Sequence, residues 1–366
     1  MKILFLSAAS NIHTVRWVNA LTERGYEVHL TYNANHKPNK DIISNAVFRH
    51  ELKFSGVAAY YLNAFEVYKL SKQIKPDIVN VHYASGYGTL ARFARLKPSV
   101  LSVWGSDVYD FPYQSKLKMK IVKKNISYAS IVASTSYSMA DQVKKLMGKN
   151  MDIPITPFGV DTHLFKPLQL EKKKQKFVFG VVKTLERKYG IEYIIKAFKA
   201  VADKLEKENN SSTPVLEIYG KGTLENELKN LCKQLNVADR VFFKGYIANK
   251  DVPLVINNMD VFCLGSVMDS ESFGVAAVEA MACEVPVIAT DVSGFKEVMI
   301  HGETGYIVPR KDSDSMAEKM YELLKYSKVR EELGKNARAR VIEFYDWDKN
   351  VSEMEIIYKS LVNNPR

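Results

Sequence analysis

The chain has 366 residues, of which 46% are apolar and 25% charged, and a formal charge of +11. That length suits two domains with a core each. The composition is that of a soluble globular protein, and no apolar run reaches the ~18–20 residues that a membrane-spanning helix needs. The charge is uneven: residues 1–165 hold 21 Lys and Arg against 11 Asp and Glu, so the remainder is nearly neutral. A basic first half points to an anionic partner, or else serves solubility alone.

Residues 2–7, KILFLS, read as a first buried strand and not as a signal peptide. A helix, a stop at Gly25 and a second strand follow within TVRWVNALTERGYEVHLTY. Residues 58–73 are expected to form one helix that ends before Pro76. DIVNVH is a strand reaching His82, GYGTLARFARL a helix, SVLSVWGSD a strand entering a turn, ASIVAST a strand and SMADQVKKLM a helix. Such alternation predicts a parallel sheet covered on both faces. Pro167 and the charged run 171–176 look like an interdomain linker. The alternation then resumes: strands at FVFGVV, PVLEIYG, RVFFKG, DVFCLG, the β-branched run before Asp291, and GYIVP, with helices between them and a mainly helical stretch from Ser313. The expectation is α/β, with two doubly wound Rossmann-like domains facing across a cleft. Open parallel sheets bind ligands at the carboxyl ends of their strands.

The stretch DSESFGVAAVEAMACEVPVIATD carries Glu271 and Glu279 on either side of Gly274, where a helix should begin after a strand. A helix start offers N–H groups and partial positive charge to a phosphate, and glycine removes the side chain that would block close approach. Carboxylates suit sugar hydroxyls, so phosphates in the middle with hydroxylated rings at both ends would fit the spacing, as in a nucleotide-sugar. Surface acids that favour the helix dipole are the alternative. Lys183 and Lys188 lie in the loop after another strand, where cations can neutralise a departing pyrophosphate; a solvated basic loop is the alternative. Gly220 and Gly222 form a tight turn, weak evidence alone. Asp312 and Asp314 read as helix-capping. Cys232, Cys263 and Cys283 have no paired spacing and read as reduced core thiols. In 115–126, Lys116, Lys120, Lys123 and Lys124 fall at helical spacings with apolar residues interleaved. That pattern suits an anionic membrane surface, or the solvated face of a domain helix. No nucleic-acid recognition module is present.

The motifs GVVKTLERKYGIEYIIKAF, EIYGKG, VFFKGYI, ESFGVAAVEAMACEVPVIATDVSGFKEVMIHGETGYIVP and FYDWDKNVSEMEIIYKSL together resemble the retaining GT-B glycosyltransferases of family GT4. The resemblance implies that Glu271 contacts the transferred sugar and that Ser272, Phe273, Gly274 and Val275 hold sugar and phosphate. Glu279 would hold the ribose, Lys183 and Lys188 the pyrophosphate, and Gly220, Gly222, Tyr246 and Ile247 the rest of the donor. The family usually has Arg where Lys183 stands, and Lys lacks the bidentate fork. More loosely, His82 matches a histidine near the reacting sugar, and VWGSD resembles a His-Gly-x-Asp element with Trp104 in the histidine place. Asp107, Trp104 and His13 are then acceptor-side candidates, Trp104 as a stacking surface.

FGVDTHLFKP matches the family's hinge. The implied domains are 1–165 on the acceptor side and 166–346 for the donor, with a final helix at about 347–366 returning to the first. The implied function is metal-independent, retaining transfer from a nucleoside-diphosphate sugar to a glycan or lipid-linked acceptor, with no cofactor, in the cytoplasm at the inner membrane face. A sugar-nucleotide epimerase or phosphorylase on the same scaffold, or a non-catalytic sugar-nucleotide- or glycan-binding protein, are the competing readings.

Overall fold

A computed structural model describes residues 1–38, 42–169, 176–209 and 212–363. Most of the charged run read as a linker, 171–175, lies outside the described residues. The chain divides into two compact units, Met1–Phe158 with Asp348–Arg366, and Gly159–Trp347.

The first unit runs β1 (Lys2–Leu6), α1 (Ile12–Glu23), β2 (Glu27–Asn33), β3 (Phe48–Leu52), α2 (Ala59–Leu62), α3 (Ala64–Ile74), β4 (Ile78–His82), α4 (Gly86–Phe93), β5 (Ser99–Val103), α5 (Ser106–Tyr109), α6 (Lys116–Tyr128), β6 (Ile131–Ser134) and α7 (Tyr137–Met147). Its six strands pair in the order β3-β2-β1-β4-β5-β6, all parallel. The central strands β4 and β5 are buried along their whole length. That is why they read as near-continuous apolar runs, as strands covered on both faces do. β3 was not expected: FRHEL is an edge strand, mostly exposed, with no apolar alternation to mark it. The helix expected over 58–73 is two helices, because Asn63 spends its side chain at the break. It accepts from the Phe54 N–H at 3.0 Å and donates to Asn33 Oδ1 at 3.0 Å and to the Phe54 carbonyl at 3.1 Å.

The second unit runs β7 (Val178–Val182), α8 (Ile191–Lys207), β8 (Val215–Tyr219), α9 (Glu225–Gln234), β9 (Val241–Gly245), α10 (Val252–Asn257), β10 (Val261–Leu264), α11 (Val275–Ala282), β11 (Val287–Thr290), α12 (Ser293–Val298), β12 (Gly305–Val308), α13 (Ser313–Lys325) and α14 (Ser327–Phe344). Its sheet order is β12-β11-β10-β7-β8-β9, again parallel. Numbered within each sheet, both orders are the 3-2-1-4-5-6 arrangement of Rossmann folds, in which the strand order reverses beside the first strand. Those switch points fall between β1 and β4 in the first unit and between β7 and β10 in the second.

The last helix, α15 (Trp347–Asn363), packs in the first unit. Tyr358 is fully buried and accepts a hydrogen bond from the Asn80 side chain of β4. Arg24 donates to the Asp348 carbonyl and to Ser352 Oγ, both at 2.9 Å, and pairs with Glu355 at 3.1 Å. Asp312 caps α13 through the Asp314 and Ser315 N–H groups, as expected of that acid. The three cysteines are free and buried; burial pushes the Cys232 thiol up to about 11 and Cys283 to about 12, which suits inert core thiols.

Candidate active site

The loops at the carboxyl ends of β7 and β10 meet at the second unit's switch point. The loop after β7 carries Lys183 and Lys188, and the loop after β10 carries Glu271 and leads into α11 at Gly274. Lys183 Nζ lies 2.7 Å from Glu271 Oε2, both side chains being largely buried. Both lysines also sit over the Tyr189 ring, at 4.6 Å for Lys183 and 4.7 Å for Lys188. Burial opposes the Lys183 charge, but the Glu271 carboxylate, with smaller pulls from Tyr189 and Glu279, raises its pKa above the usual lysine value. The ammonium therefore stays charged in a poorly hydrated place, where it acts most strongly on an anion.

Neighbouring loops are laced to this pair. Lys183 N–H donates to the Tyr219 carbonyl at 3.0 Å, Leu185 N–H to Lys221 at 3.1 Å, and Gly220 N–H to Gly245 at 2.8 Å. Gly220 has φ +139°, and a Cβ there would stand 1.9 Å from the Lys183 carbonyl oxygen, so only glycine permits this contact. A Cβ on Gly222 would stand 2.3 Å from the Leu185 carbonyl oxygen. Beyond Gly245 come Ile247 and Tyr246, the latter 73% exposed. The structure thus brings Lys183, Lys188, Gly220, Gly222, Tyr246 and Ile247 onto one rim.

The loop after β10 is fixed from several sides. Val267 N–H donates to the Lys188 carbonyl at 2.9 Å and Gly294 N–H to the Glu271 carbonyl at 3.2 Å. Gly274 takes φ +84°, and a Cβ would meet Phe295 Cδ1 at 2.7 Å; this left-handed turn lets α11 start directly behind the loop. Ser272 and Phe273 are buried, the Phe273 ring edge-on to Tyr345 at 5.7 Å. Val275 and Glu279 are half-buried on α11. At the far end of α11, Arg338 donates to the Ala282 carbonyl, so cationic charge complements the helix's negative end.

Sequence reasoning missed the brace of this loop. Asp269 accepts from Ser293 N–H at 3.0 Å, Ser293 Oγ at 2.7 Å and Arg310 Nη2 at 3.2 Å. Arg310 also binds Asp291 through its backbone N–H at 3.0 Å and Nε at 3.1 Å. Burial raises the Asp269 pKa, yet the Ser293 bonds and the Arg310 guanidinium outweigh it and hold the carboxyl below its usual range. Nothing local in the sequence ties Asp269 to Arg310. Tyr189, by contrast, follows Arg187 and Lys188 in GVVKTLERKYGIEYIIKAF, where an aromatic beside two cations was a readable signal.

In the first unit, the switch point carries His82 at the end of β4 and His13 in the first turn of α1. His82 is 1% exposed. Its Nδ1 shares a 2.9 Å hydrogen bond with Ser7 Oγ, and its ring lies 4.1 Å from Trp104. Burial, aided by nearby His13, lowers its pKa to about 3, so the imidazole is neutral. Trp104 is itself buried, met by His13 at 5.9 Å, Tyr83 at 5.2 Å and Phe158 at 5.2 Å. His13 stacks on Phe158 at 4.1 Å. Trp104 therefore packs against protein rings and does not offer the open stacking face expected of it. Asp107 does not face outward either. It is 1% exposed and accepts from the N–H groups of Ala84 at 2.7 Å, Trp104 at 3.1 Å and Gly105 at 2.9 Å. Burial raises its pKa while those donors pull it back.

Among the described residues, no group of three His, Cys, Asp or Glu side chains could hold a metal ion, and no helix is long and apolar enough to cross a membrane. The model for glycosyl transferases group 1 matches residues 165–340, and that for glycosyl transferase 4-like proteins matches residues 2–136. The chain is 26% identical over 366 residues to the N-acetyl-alpha-D-glucosaminyl L-malate synthase of Bacillus anthracis, spanning 94% of this chain and 92% of that one. It is 29% identical over 315 residues to the capsular polysaccharide biosynthesis glycosyltransferase CapM of Staphylococcus aureus, spanning 79% and 78%. A sucrose-phosphate synthase from Thermosynechococcus elongatus superposes with a TM-score of 0.83 at 20% identity over 99% of each chain, a likeness of fold. Two family models that between them take in both sheets and the loops built on them place the chain among the group 1 glycosyltransferases, family GT4, with the two Rossmann-like domains of the GT-B fold.

Proposed function

We propose that the protein transfers a sugar, with retention of anomeric configuration and without a metal ion, from a nucleoside-diphosphate sugar to a glycan or lipid-linked acceptor in cell-surface polysaccharide or glycolipid synthesis. The observation that carries this is the pairing of Lys183 with Glu271 at 2.7 Å beside the start of α11. A cation for phosphate and a carboxylate for hydroxyls stand side by side, as the junction of phosphate and sugar requires. Lys183, Lys188 and the first turn of α11 supply the positive charge that a leaving diphosphate needs. Ser272, Phe273, Gly274 and Val275 line the phosphate and sugar, Glu279 binds the ribose, and Gly220, Gly222, Tyr246 and Ile247 hold the nucleoside.

In the reaction, the bond from the anomeric carbon to the phosphate oxygen breaks and a bond to the acceptor oxygen forms on the same face. The acceptor's proton passes to the departing phosphate oxygen, so no protein nucleophile is consumed. The first unit takes the acceptor side. Neutral His82, with Nδ1 engaged by Ser7, would meet the reacting sugar through Nε2, while Asp107 and Trp104 position that histidine and His13 lines the approach. The relative CapM, named for capsular polysaccharide biosynthesis, supports the pathway.

The protein works in the cytoplasm, held peripherally at the inner membrane face. Arg92, Lys116, Lys120, Lys123 and Lys124 line a groove of about 580 Å³ along α6, a basic surface that suits anionic lipid.

A thermal-shift panel of nucleoside diphosphates and their sugars, followed by donor hydrolysis without acceptor and NMR of the product's anomeric centre, tests the reading. Stabilisation, slow hydrolysis and a retained configuration are expected; binding without any turnover would make the chain a binding protein.

A further inference from the structure

The surface of α2 and α3 is oriented against the habit of a helix on a soluble domain. Val67 and Ile74 point into the core, as they should. The outer side, where polar residues normally stand, carries Tyr61, Phe65 and Tyr68 at helical spacings, with Val57 and Leu62 beside them. Val57 is 83% exposed, Phe65 66% and Leu62 56%. A cluster of exposed apolar side chains of this kind, on neighbouring turns of the chain, marks an interaction site. It is held firmly, since the buried Asn63 network with Asn33 and Phe54 fixes the break between the two helices.

Cations edge the patch. Lys69 Nζ lies 4.5 Å from the Phe65 ring and Lys72 Nζ 5.4 Å from Tyr68. The patch also continues into the basic groove. Tyr61 meets Phe93 edge to face at 5.0 Å, the Arg92 guanidinium lies 4.6 Å from Phe93, and Arg92 lines the groove with the lysines of α6. Met119, Tyr128 and Met147 give that groove apolar walls below its charged rim.

We infer that α2, α3 and the end of α4 form an aromatic wedge that inserts into the interfacial layer of an anionic bilayer, while Arg92 and the α6 lysines hold lipid phosphates beside it. Amphipathic rings settle at the headgroup level, lysine stems can lie along apolar surface with the charge outward, and anionic lipid is the complement of the basic rim. A second copy of the chain would bring like-charged α6 surfaces together, and α3 has a single acid, Glu66, to answer the lysines of any basic partner. The inference rests on the proposed membrane attachment and adds what the sequence did not show: attachment by insertion as well as by charge.

The test uses the full chain, sedimented with vesicles of phosphatidylcholine alone or with about 30% phosphatidylglycerol, at about 0.1 M and 0.5 M NaCl. Wild type should bind the anionic vesicles and keep part of that binding at high salt, where surface charge is screened. Leu62→Ser with Phe65→Ser, both exposed, should lower partitioning at least about tenfold and remove the salt-resistant part. Replacing Lys116, Lys120, Lys123 and Lys124 by Gln should remove the low-salt attraction. Because the three native cysteines are buried, Phe65→Cys can carry an environment-sensitive fluorophore, whose emission should shift to the blue on binding. Unchanged binding of the serine variant across the salt series, or a fluorophore that stays in water on vesicle-bound protein, overturns insertion while leaving the charge-based attachment standing. A wild-type dimer that the serine variant dissociates overturns it in favour of self-association. Wild type that ignores anionic vesicles yet transfers sugar sinks the insertion and the membrane attachment together, without touching the glycosyltransferase reading.

Discussion

Lys183 Nζ and Glu271 Oε2 stand 2.7 Å apart, joining the loops that follow β7 and β10, the two strands at the reversal of sheet order. Each is the other's partner before a donor arrives. In the proposed donor site, a diphosphate would draw the ammonium toward itself and a sugar hydroxyl would then take the carboxylate, so the pair would exchange one internal contact for two external ones. The pair also keeps either charge from being stranded in a largely dry site, which would be costly.

Replacing Lys183 and Lys188 together by Ala should abolish turnover, at least about 100-fold in kcat/KM, because the leaving diphosphate loses both cations. Lys183→Ala alone also leaves Glu271 unpaired and should lower stability by about 1–3 kcal/mol, less than for a fully buried pair because both side chains retain some solvent contact. Lys183→Met with Glu271→Leu should regain that stability without regaining activity. Chemical denaturation and steady-state rates read the two effects separately.

Glu279→Ala should weaken nucleotide binding about tenfold, the loss expected for one or two ribose hydrogen bonds, with the melting temperature little changed. Calorimetry with a nucleoside diphosphate measures it, and unchanged affinity would remove the ribose role.

Gly274→Ala should cost stability and donor affinity together. The added Cβ would meet Phe295 Cδ1 at 2.7 Å and the backbone holds φ +84°, a conformation that costs a residue with a Cβ about 1–2 kcal/mol before any clash. A variant as stable as wild type, with the same donor KM, would show that the turn can relax.

His82 gives the first unit a sensitivity to acid. Its folded pKa of about 3 lies below the ordinary 6.5, so its contribution to stability is complete above pH 6.5 and declines as pH falls toward 3, because only the unfolded chain takes the proton. The expected slope from this one group is about 1.4 kcal/mol per pH unit between roughly pH 6 and 4. His82→Gln should flatten the wild-type dependence of stability over that range; parallel curves for the two proteins would place the sensitivity elsewhere.

Much of the fold was legible because its strands are buried on both faces and spell apolar runs, as VFCL of β10 and IVNVH of β4 illustrate in their burial. Glu271, Gly274 and Glu279 were legible as a group because they share one stretch of chain. What escaped was non-local or inverted. The Lys183–Glu271 pair and the Asp269–Arg310–Asp291 brace join residues from separate loops, and no spacing announces them. The resemblance of VWGSD to a His-Gly-x-Asp element made Asp107 an acceptor-side candidate, but three backbone N–H groups claim it. On α3, apolar residues face both inward and outward, so a reading that assumes one apolar side takes the outer aromatics for core.

A structure of the protein with a nucleoside-diphosphate sugar bound tests the donor site most directly. The expected result has phosphate oxygens on Lys183, Lys188 and the N–H groups that open α11, the sugar hydroxyls on Glu271 and the ribose on Glu279. A diphosphate bound elsewhere, with the Lys183–Glu271 contact undisturbed, would contradict it.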